Sequence, residues 1–122
     1  GIPLPKKNRL KWLNSDFLKK LIKDFEKSGF RGSLNRYRAQ NLDWKELTEL
    51  EHLNVSQPSI FIGGEHDPVR SFIKDYDAFK NPGKYCTNFK GSFIIENSGH
   101  WVQQEKPNEV NKIIGNFLKQ LI

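Results

Sequence analysis

Apolar residues in the first half of the chain recur at every third or fourth position, which is the period of a helix. Asn14 or Ser15 can cap the start of this helix, and Gly29 is a typical residue to end it. The predicted helix has one apolar face, which consists of Phe17, Leu18, Leu21, Ile22 and Phe25. The rest of this half is predicted as an extended lead-in (residues 1–14), a turn (30–33) and two shorter helices (34–41 and 43–53).

The second half alternates short apolar runs with helical patterns. Residues 58–62 form a brief apolar run closed by two glycines, as expected of a buried parallel strand. A second strand is predicted at residues 89–96, and helices are predicted at 70–79 and 107–122. Pro107 lies near the start of the last helix, where proline is tolerated. The order strand, helix, strand, helix predicts an α/β fold with a mainly parallel sheet.

Two strands are too few for a stable parallel sheet, because such a sheet is buried on both faces and needs neighbours. The sequence therefore predicts an incomplete sheet. Either another chain completes it, or these 122 residues are a piece of a larger protein. The 122 residues alone are expected to be poorly stable or associated, since their apolar strand faces would be open to water.

Composition and charge exclude several classes of protein. Hydrophobic residues make up 36% and charged residues 28% of the chain, and no apolar run approaches the roughly 20 residues of a membrane span. The single cysteine, Cys86, excludes an internal disulfide and favours a cytoplasmic protein. The net charge of +6 comes from 20 basic against 14 acidic residues, and many of the basic residues lie near the N-terminus. Asp16, Asp24 and Glu26 are interleaved with them, so a solvated helix face is predicted rather than a nucleic-acid site.

A polar side chain follows each predicted strand. Asp67 comes just past the first strand, and His100 comes after the polar loop that ends the second. Because the carboxyl ends of parallel strands meet at one edge of a sheet, we expect these two side chains to lie within hydrogen-bond distance. A carboxylate that orients an imidazole is an arrangement suited to general base catalysis. The alternatives are a cap role for Asp67 before Pro68 and a loop role for His100.

These two segments resemble the C-terminal portion of α/β-hydrolases. Residues 60–69, IFIGGEHDPV, are similar to the strand and loop that carry the acid of the family's catalytic triad. Residues 98–101, SGHW, are similar to the family's histidine loop, and Gln104, Glu105 and Pro107 follow in the usual way. The order acid, then histidine, matches the family's order of nucleophile, acid and histidine.

The first half narrows the resemblance to the epoxide hydrolases. Residues 29–38, GFRGSLNRYR, are similar to a cap segment in which a tyrosine hydrogen-bonds the epoxide oxygen, and Tyr37 stands at that position. Arg36 stands where the family commonly has an aromatic residue, and Ser33 where it commonly has proline. The resemblance implies a helical cap segment at residues 1–54 and the C-terminal part of the hydrolase core at residues 55–122.

The chemistry implied by the resemblance is the opening of an epoxide to a vicinal diol through a covalent ester. Tyr37, Asp67 and His100 are the implied catalytic residues. The family's nucleophile elbow and oxyanion-hole segment are not found in these residues, so the nucleophile is expected outside this chain and the chain alone is expected to be inactive. The implied partners are a small epoxide, water and the missing N-terminal part of the core. No cofactor and no metal are predicted, because the histidines and the cysteine lack metal-ligand spacing.

Two other functions stay open. A haloalkane or fluoroacetate dehalogenase shares the core, the triad and a related cap, although the Asn-x-Tyr-Arg setting of Tyr37 favours the epoxide chemistry. A truncated, inactive relative that serves as a binding module would carry the same motifs. Tyr37 could also be a core aromatic residue, while Glu65 and His66 are predicted to be loop residues without a role in the site.

Overall fold

The computed structural model describes residues 12–122, so the predicted lead-in at residues 1–14 lies almost entirely outside the described part of the chain. Two compact units are present, one ending at His52 and the other extending over Leu53–Ile122. Within residues 12–122, none of the helices has the length and apolar character needed to cross a membrane. The assignment of the two units to a cap and a hydrolase core stays a prediction.

The first unit is helical, with α1 at Ser15–Ser28, α2 at Arg31–Arg38, α3 at Gln40–Glu46 and a 3-10 turn at Leu47–Leu50. The helix α1 begins where it was predicted, because the Asn14 side chain accepts the Asp16 N–H at 2.7 Å. It ends at Gly29, whose φ of 64° favours glycine and whose N–H donates to the Phe25 carbonyl oxygen.

The predicted turn at residues 30–33 is wrong, since α2 already begins at Arg31. The positive φ of Gly29 lets the chain leave the helical path at this residue. The Phe30 ring then stacks on Phe25, with 4.5 Å between the ring centroids, and the next helix starts at once. The aromatic stacking links the ends of α1 and α2, and this contact is not visible in the helical period of either segment.

The second unit contains two parallel strands, β1 at Ser59–Gly64 and β2 at Phe89–Ile95. The predicted strands are therefore present, and the α/β fold class is confirmed. The register pairs Gly64 with Ile95, so both strands end at the same edge of the sheet. Two helices follow, α4 at Val102–Glu105 and α5 at Pro107–Lys119.

The buried apolar core of this unit is small and lies next to the strand ends. Its members are Ile95, Val102 and Val110, with Ile62 and Ile113 packed against them. In the described part of the chain, Phe93 and Ile94 on β2 remain 39% and 40% exposed. The sheet therefore keeps apolar side chains in contact with water, which is typical of a surface that another element can cover.

The helix predicted at residues 70–79 is wrong. The structure has one 3-10 turn at Pro68–Ser71, followed by turns and a residue with positive φ, Asp75. Side-chain bonds compete with helix formation here. The Arg70 guanidinium donates to both oxygens of Asp77, at 3.2 and 2.6 Å, and Asp77 accepts the Phe79 N–H at 2.9 Å. The side chain of Asp77 thus binds a backbone N–H that a regular helix would use.

Gly64 brings β1 into direct contact with the loop that follows β2. A β-carbon at Gly64 would overlap the carbonyl oxygens of Gly99 and Ser98. The two backbones can approach this closely only because residue 64 has no side chain. The close approach ties the end of β1 to the loop that carries His100.

We expect Gly64→Ala to lower the free energy of unfolding of the native protein by about 1–3 kcal/mol, because the new methyl group has no space. The matched control is Gly115→Ala in α5, where an added β-carbon meets no atom within 4 Å. Since glycine weakens a helix interior, this variant should gain about 0.5–1 kcal/mol. Urea unfolding measures both changes. Equal effects of the two substitutions would contradict the close contact at Gly64.

We expect Asp77→Asn to remove an acid-sensitive part of the stability. The hydrogen bonds from Arg70 and from the Phe79 N–H hold the pKa of the Asp77 carboxyl below its usual value. A carboxyl with a lowered pKa in the folded state stabilises the fold above its unfolded pKa of about 4, and this contribution disappears as the pH falls through the folded pKa. The wild type should therefore exceed the variant in unfolding free energy near neutral pH, and the difference should shrink below about pH 4.

Urea unfolding at a series of pH values measures this difference, and Arg70→Gln is the partner variant. Because the Arg70 hydrogen bond is the largest cause of the lowered pKa, Arg70→Gln should show most of this loss of pH dependence, while the Phe79 N–H retains the rest. The double variant should lose less than the sum of the two single variants, because both remove the same contact. A difference that stays constant from neutral to acid pH would show that the Asp77 charge does not contribute.

Candidate active site

Asp67 is held by the backbone at the end of β1. It precedes the 3-10 turn Pro68–Ser71 with an extended backbone, and its Oδ1 accepts the Val69 N–H at 2.9 Å. The side chain is 8% exposed. The cap role considered for Asp67 is therefore real, and it accompanies the contact with His100 rather than excluding it. A carboxylate fixed in this way keeps a defined orientation toward its second partner.

His100 lies on the loop after β2 and contacts Asp67. Its Nδ1 is 3.1 Å from Oδ1 and 3.0 Å from Oδ2 of the carboxylate. Since a carboxylate only accepts, Nδ1 is the donor of this hydrogen bond and Nε2 of the neutral ring is left as an acceptor. The imidazole side chain is 52% exposed, in contrast to its partner. The two residues thus meet as the sequence predicts, and their catalytic roles stay a prediction.

The two loops are also joined through their backbones. The His66 N–H donates to the Ser98 carbonyl oxygen at 2.8 Å, and the Glu65 N–H donates to the Ile95 carbonyl oxygen at 3.0 Å. In addition, the Glu65 carboxylate accepts the Asn97 N–H at 2.9 Å. The prediction that Glu65 is a loop residue without a role overlooked this bond, because its partner lies 32 residues away in the sequence. These bonds hold the acid loop and the histidine loop in one arrangement.

The backbone beside His100 is bound by a second carboxylate. Glu105 accepts the Gly99 N–H at 2.8 Å and the Trp101 N–H at 3.1 Å. The Ser98 hydroxyl is buried and donates to the Ile95 carbonyl oxygen at 2.8 Å. The sequence offered one signal for this arrangement, since acidic side chains in the first turn of a helix often accept N–H groups that precede it.

Arg70 supports the acid loop from its other side. Its Nη1 donates to the Glu65 carbonyl oxygen at 2.9 Å, while its other nitrogens bind Asp77. Asp77 and, to a smaller extent, Glu65 raise the pKa of the Arg70 guanidinium, so it stays charged. The Arg70 guanidinium, held in place by Asp77, therefore binds the backbone of the loop that carries Asp67.

Tyr37, the third predicted site residue, lies on α2 in the first unit and is 67% exposed. The structure brings Asp67 and His100 together, whereas the role of Tyr37 stays a prediction. Residues 12–122 include no group of three or more His, Cys, Asp or Glu side chains that could hold a metal ion. The contact that the structure does show in the second unit is an imidazole oriented by a carboxylate.

Known proteins are similar to this chain in sequence and in structure, although no protein-family model matches it. Over 111 residues the chain is 36% identical to epoxide hydrolase A of Mycobacterium tuberculosis, covering 90% of this chain and 33% of that protein. The crystal structure of epoxide hydrolase A from Mycobacterium thermoresistibile is similar with a TM-score of 0.82 and 30% identity, covering 93% of this chain and 34% of the other. The structure of potato (Solanum tuberosum) epoxide hydrolase I is similar with a TM-score of 0.81 and 29% identity. This match covers 90% of this chain and 35% of the potato chain.

The chain spans about a third of the length of these relatives. The match nevertheless extends over most of this chain, including both units. The resemblance predicted from the two motifs after the strands is therefore confirmed. By sequence and by fold, the chain is similar to about a third of an epoxide hydrolase with the α/β-hydrolase fold.

Proposed function

We propose that the protein hydrolyses epoxides to vicinal diols and that Asp67 and His100 serve the water-dependent step. The observation that carries the proposal is the hydrogen bond from His100 Nδ1 to the buried carboxylate of Asp67, at 3.0 and 3.1 Å. The relatives reported above are named epoxide hydrolases, and these names supply the substrate class. An oriented imidazole alone would fit many hydrolytic reactions.

In the proposed first step, a carboxylate outside these 122 residues attacks an epoxide carbon. The C–O bond of the ring breaks as the ester bond forms, and the ring oxygen gains negative charge. The remainder of the hydrolase core is the proposed source of this nucleophile. Support comes from the length of the relatives, of which this chain spans about a third, and from the two-stranded sheet of the described residues.

In the proposed second step, His100 Nε2 takes a proton from water as the water oxygen attacks the ester carbonyl carbon. The ester C–O bond then breaks as the imidazolium returns its proton to the departing oxygen, which releases the diol. The carboxylic acid that remains loses its proton to restore the carboxylate, which balances the proton taken up by the ring oxygen after the first step. Asp67 keeps the Nδ1–H directed at itself and stabilises the imidazolium that forms. This division of roles agrees with the structure of the pair, because the carboxylate is buried and the imidazole is exposed.

Tyr37 is proposed to donate its phenolic hydrogen to the epoxide oxygen during the first step. Charge develops on that oxygen as the ring opens, so a donor there stabilises the transition state more than the ground state. The first unit would then belong to the cap, and the second to the catalytic core. The sequence match around Tyr37 supports this role, and its exposed phenol leaves the hydroxyl accessible.

The dehalogenase and binding-module alternatives have no specific observation in their favour. The relatives that match most of the chain carry the name epoxide hydrolase. The imidazole and the carboxylate also retain the contact that the hydrolytic step requires.

We expect His100→Gln to trap the ester intermediate in the native protein. Glutamine cannot act as a base toward water, so the ester should form and persist. Intact-protein mass spectrometry after mixing with an epoxide should show a mass increase equal to that of the substrate. The control is His52→Gln, which changes an exposed histidine of the first unit and should turn over without adduct. Consumption of one equivalent of substrate by His100→Gln without any adduct would exclude the two-step reaction.

We expect Tyr37→Phe to slow ester formation and to leave ester hydrolysis unchanged. Loss of one donor to a developing alkoxide should raise the barrier of the first step by about 1–3 kcal/mol, and by less where a second donor compensates. Rapid-mixing measurements separate the rates of ester formation and hydrolysis. Tyr85→Phe, which removes an exposed hydroxyl from the second unit, is the matched control. A slower hydrolysis step with normal ester formation would assign Tyr37 a different role.

A further inference from the structure

The two backbone N–H groups that flank His100 bind the same side chain. The Gly99 N–H donates to Glu105 Oε2 at 2.8 Å, and the Trp101 N–H donates to Oε1 at 3.1 Å. One carboxylate thus holds the peptide on both sides of the histidine. Because bonds from N–H groups to a charged oxygen are stronger than neutral ones, this contact restricts the backbone from which the imidazole projects.

The position of Glu105 is itself fixed by the core. Glu105 ends the short helix α4, which begins at Val102, and Val102 is buried against Ile95 and Val110. Trp101, the residue before the helix, has no side chain that accepts the first N–H groups of α4, and its own N–H is bound by the Glu105 carboxylate. The carboxylate also lies close to Gly99, since a β-carbon at this residue would be 3.2 Å from Glu105 Oε1.

We infer that Glu105 is a positioning residue that keeps the His100 loop in the conformation where Nδ1 meets Asp67. Its effect on the imidazole is indirect: it sets the backbone, and the backbone sets the hydrogen bond that holds the proton on Nδ1. The inference rests on the proposed function only for its catalytic consequence. The geometric consequence, the tautomer of His100, needs no substrate and is tested separately.

The test measures the neutral tautomer of His100 in the native protein by nitrogen-15 NMR, well above the ordinary histidine pKa of about 6.5. The His100→Gln variant assigns the signals. In the wild type, the Nδ1–H form should dominate because the carboxylate accepts that proton. Glu105→Ala should shift the population toward the Nε2–H form that free imidazole prefers. Glu105→Gln, whose amide has one acceptor oxygen for two N–H groups, should fall between them.

Glu109→Ala is the matched control. It also removes one carboxylate from the second unit, but Glu109 lies on α5 with its oxygen 3.7 Å from the Lys106 ammonium. This variant should keep the wild-type tautomer. Hydrogen exchange at the Gly99 and Trp101 amides should become faster in both Glu105 variants and stay unchanged in Glu109→Ala.

The result that overturns the inference is a wild-type tautomer in a folded Glu105→Ala or Glu105→Gln variant, or an equal shift in Glu109→Ala. If Glu105→Ala does not fold, the graded effect of Glu105→Gln decides the question. Where epoxide turnover is found, Glu105→Gln should slow ester hydrolysis more than ester formation. Where no turnover is found, the proposed function fails while the tautomer measurement still tests the role of Glu105.

Discussion

The register between β1 and β2 is the constraint on which the site depends. Because Gly64 pairs with Ile95, both strands end at the same edge, and the residues that follow them have only a short distance to cross. A parallel pair shifted by one position would turn the side chains of one strand to the other face. The absence of a side chain at Gly64 lets the second loop rest directly on the end of the first strand. Asp67 and His100 meet as a result.

Three acidic side chains hold these loops by accepting backbone N–H groups. Glu65 binds the loop at Asn97, Glu105 binds it at Gly99 and Trp101, and Asp67 caps its own turn. Loops carry many N–H groups without a partner in the secondary structure, and a charged acceptor satisfies them strongly. Asp67 thus binds the imidazole itself, while Glu65 and Glu105 bind the backbone of the loop that carries it.

Local patterns predicted much of the fold and the central contact of the site. The apolar run before Gly63-Gly64 is continuous in the sequence, and Asp67 and His100 each follow a predicted strand, so the shared edge of a parallel sheet was sufficient to predict their contact. The segment at residues 70–79 failed because Arg70 binds Asp77 through side chains, and helical propensity contains no such contact. The role of Glu65 depended on a partner 32 residues away, which only the folded register brings near.

In the second unit, the apolar core and the loops of the site use the same backbone segments, and this limits which substitutions either can accept. Ile95 is buried in the core, and its carbonyl oxygen accepts both the Ser98 hydroxyl and the Glu65 N–H. Val102 is buried next to it and starts the helix that carries Glu105. A substitution that loosens this small core must also disturb the loops, since the same backbone serves both. The stability of the unit and the orientation of the imidazole are therefore coupled. Glu105 binds the loop from outside the apolar cluster, so its substitution can change the orientation of the imidazole without removing a core side chain.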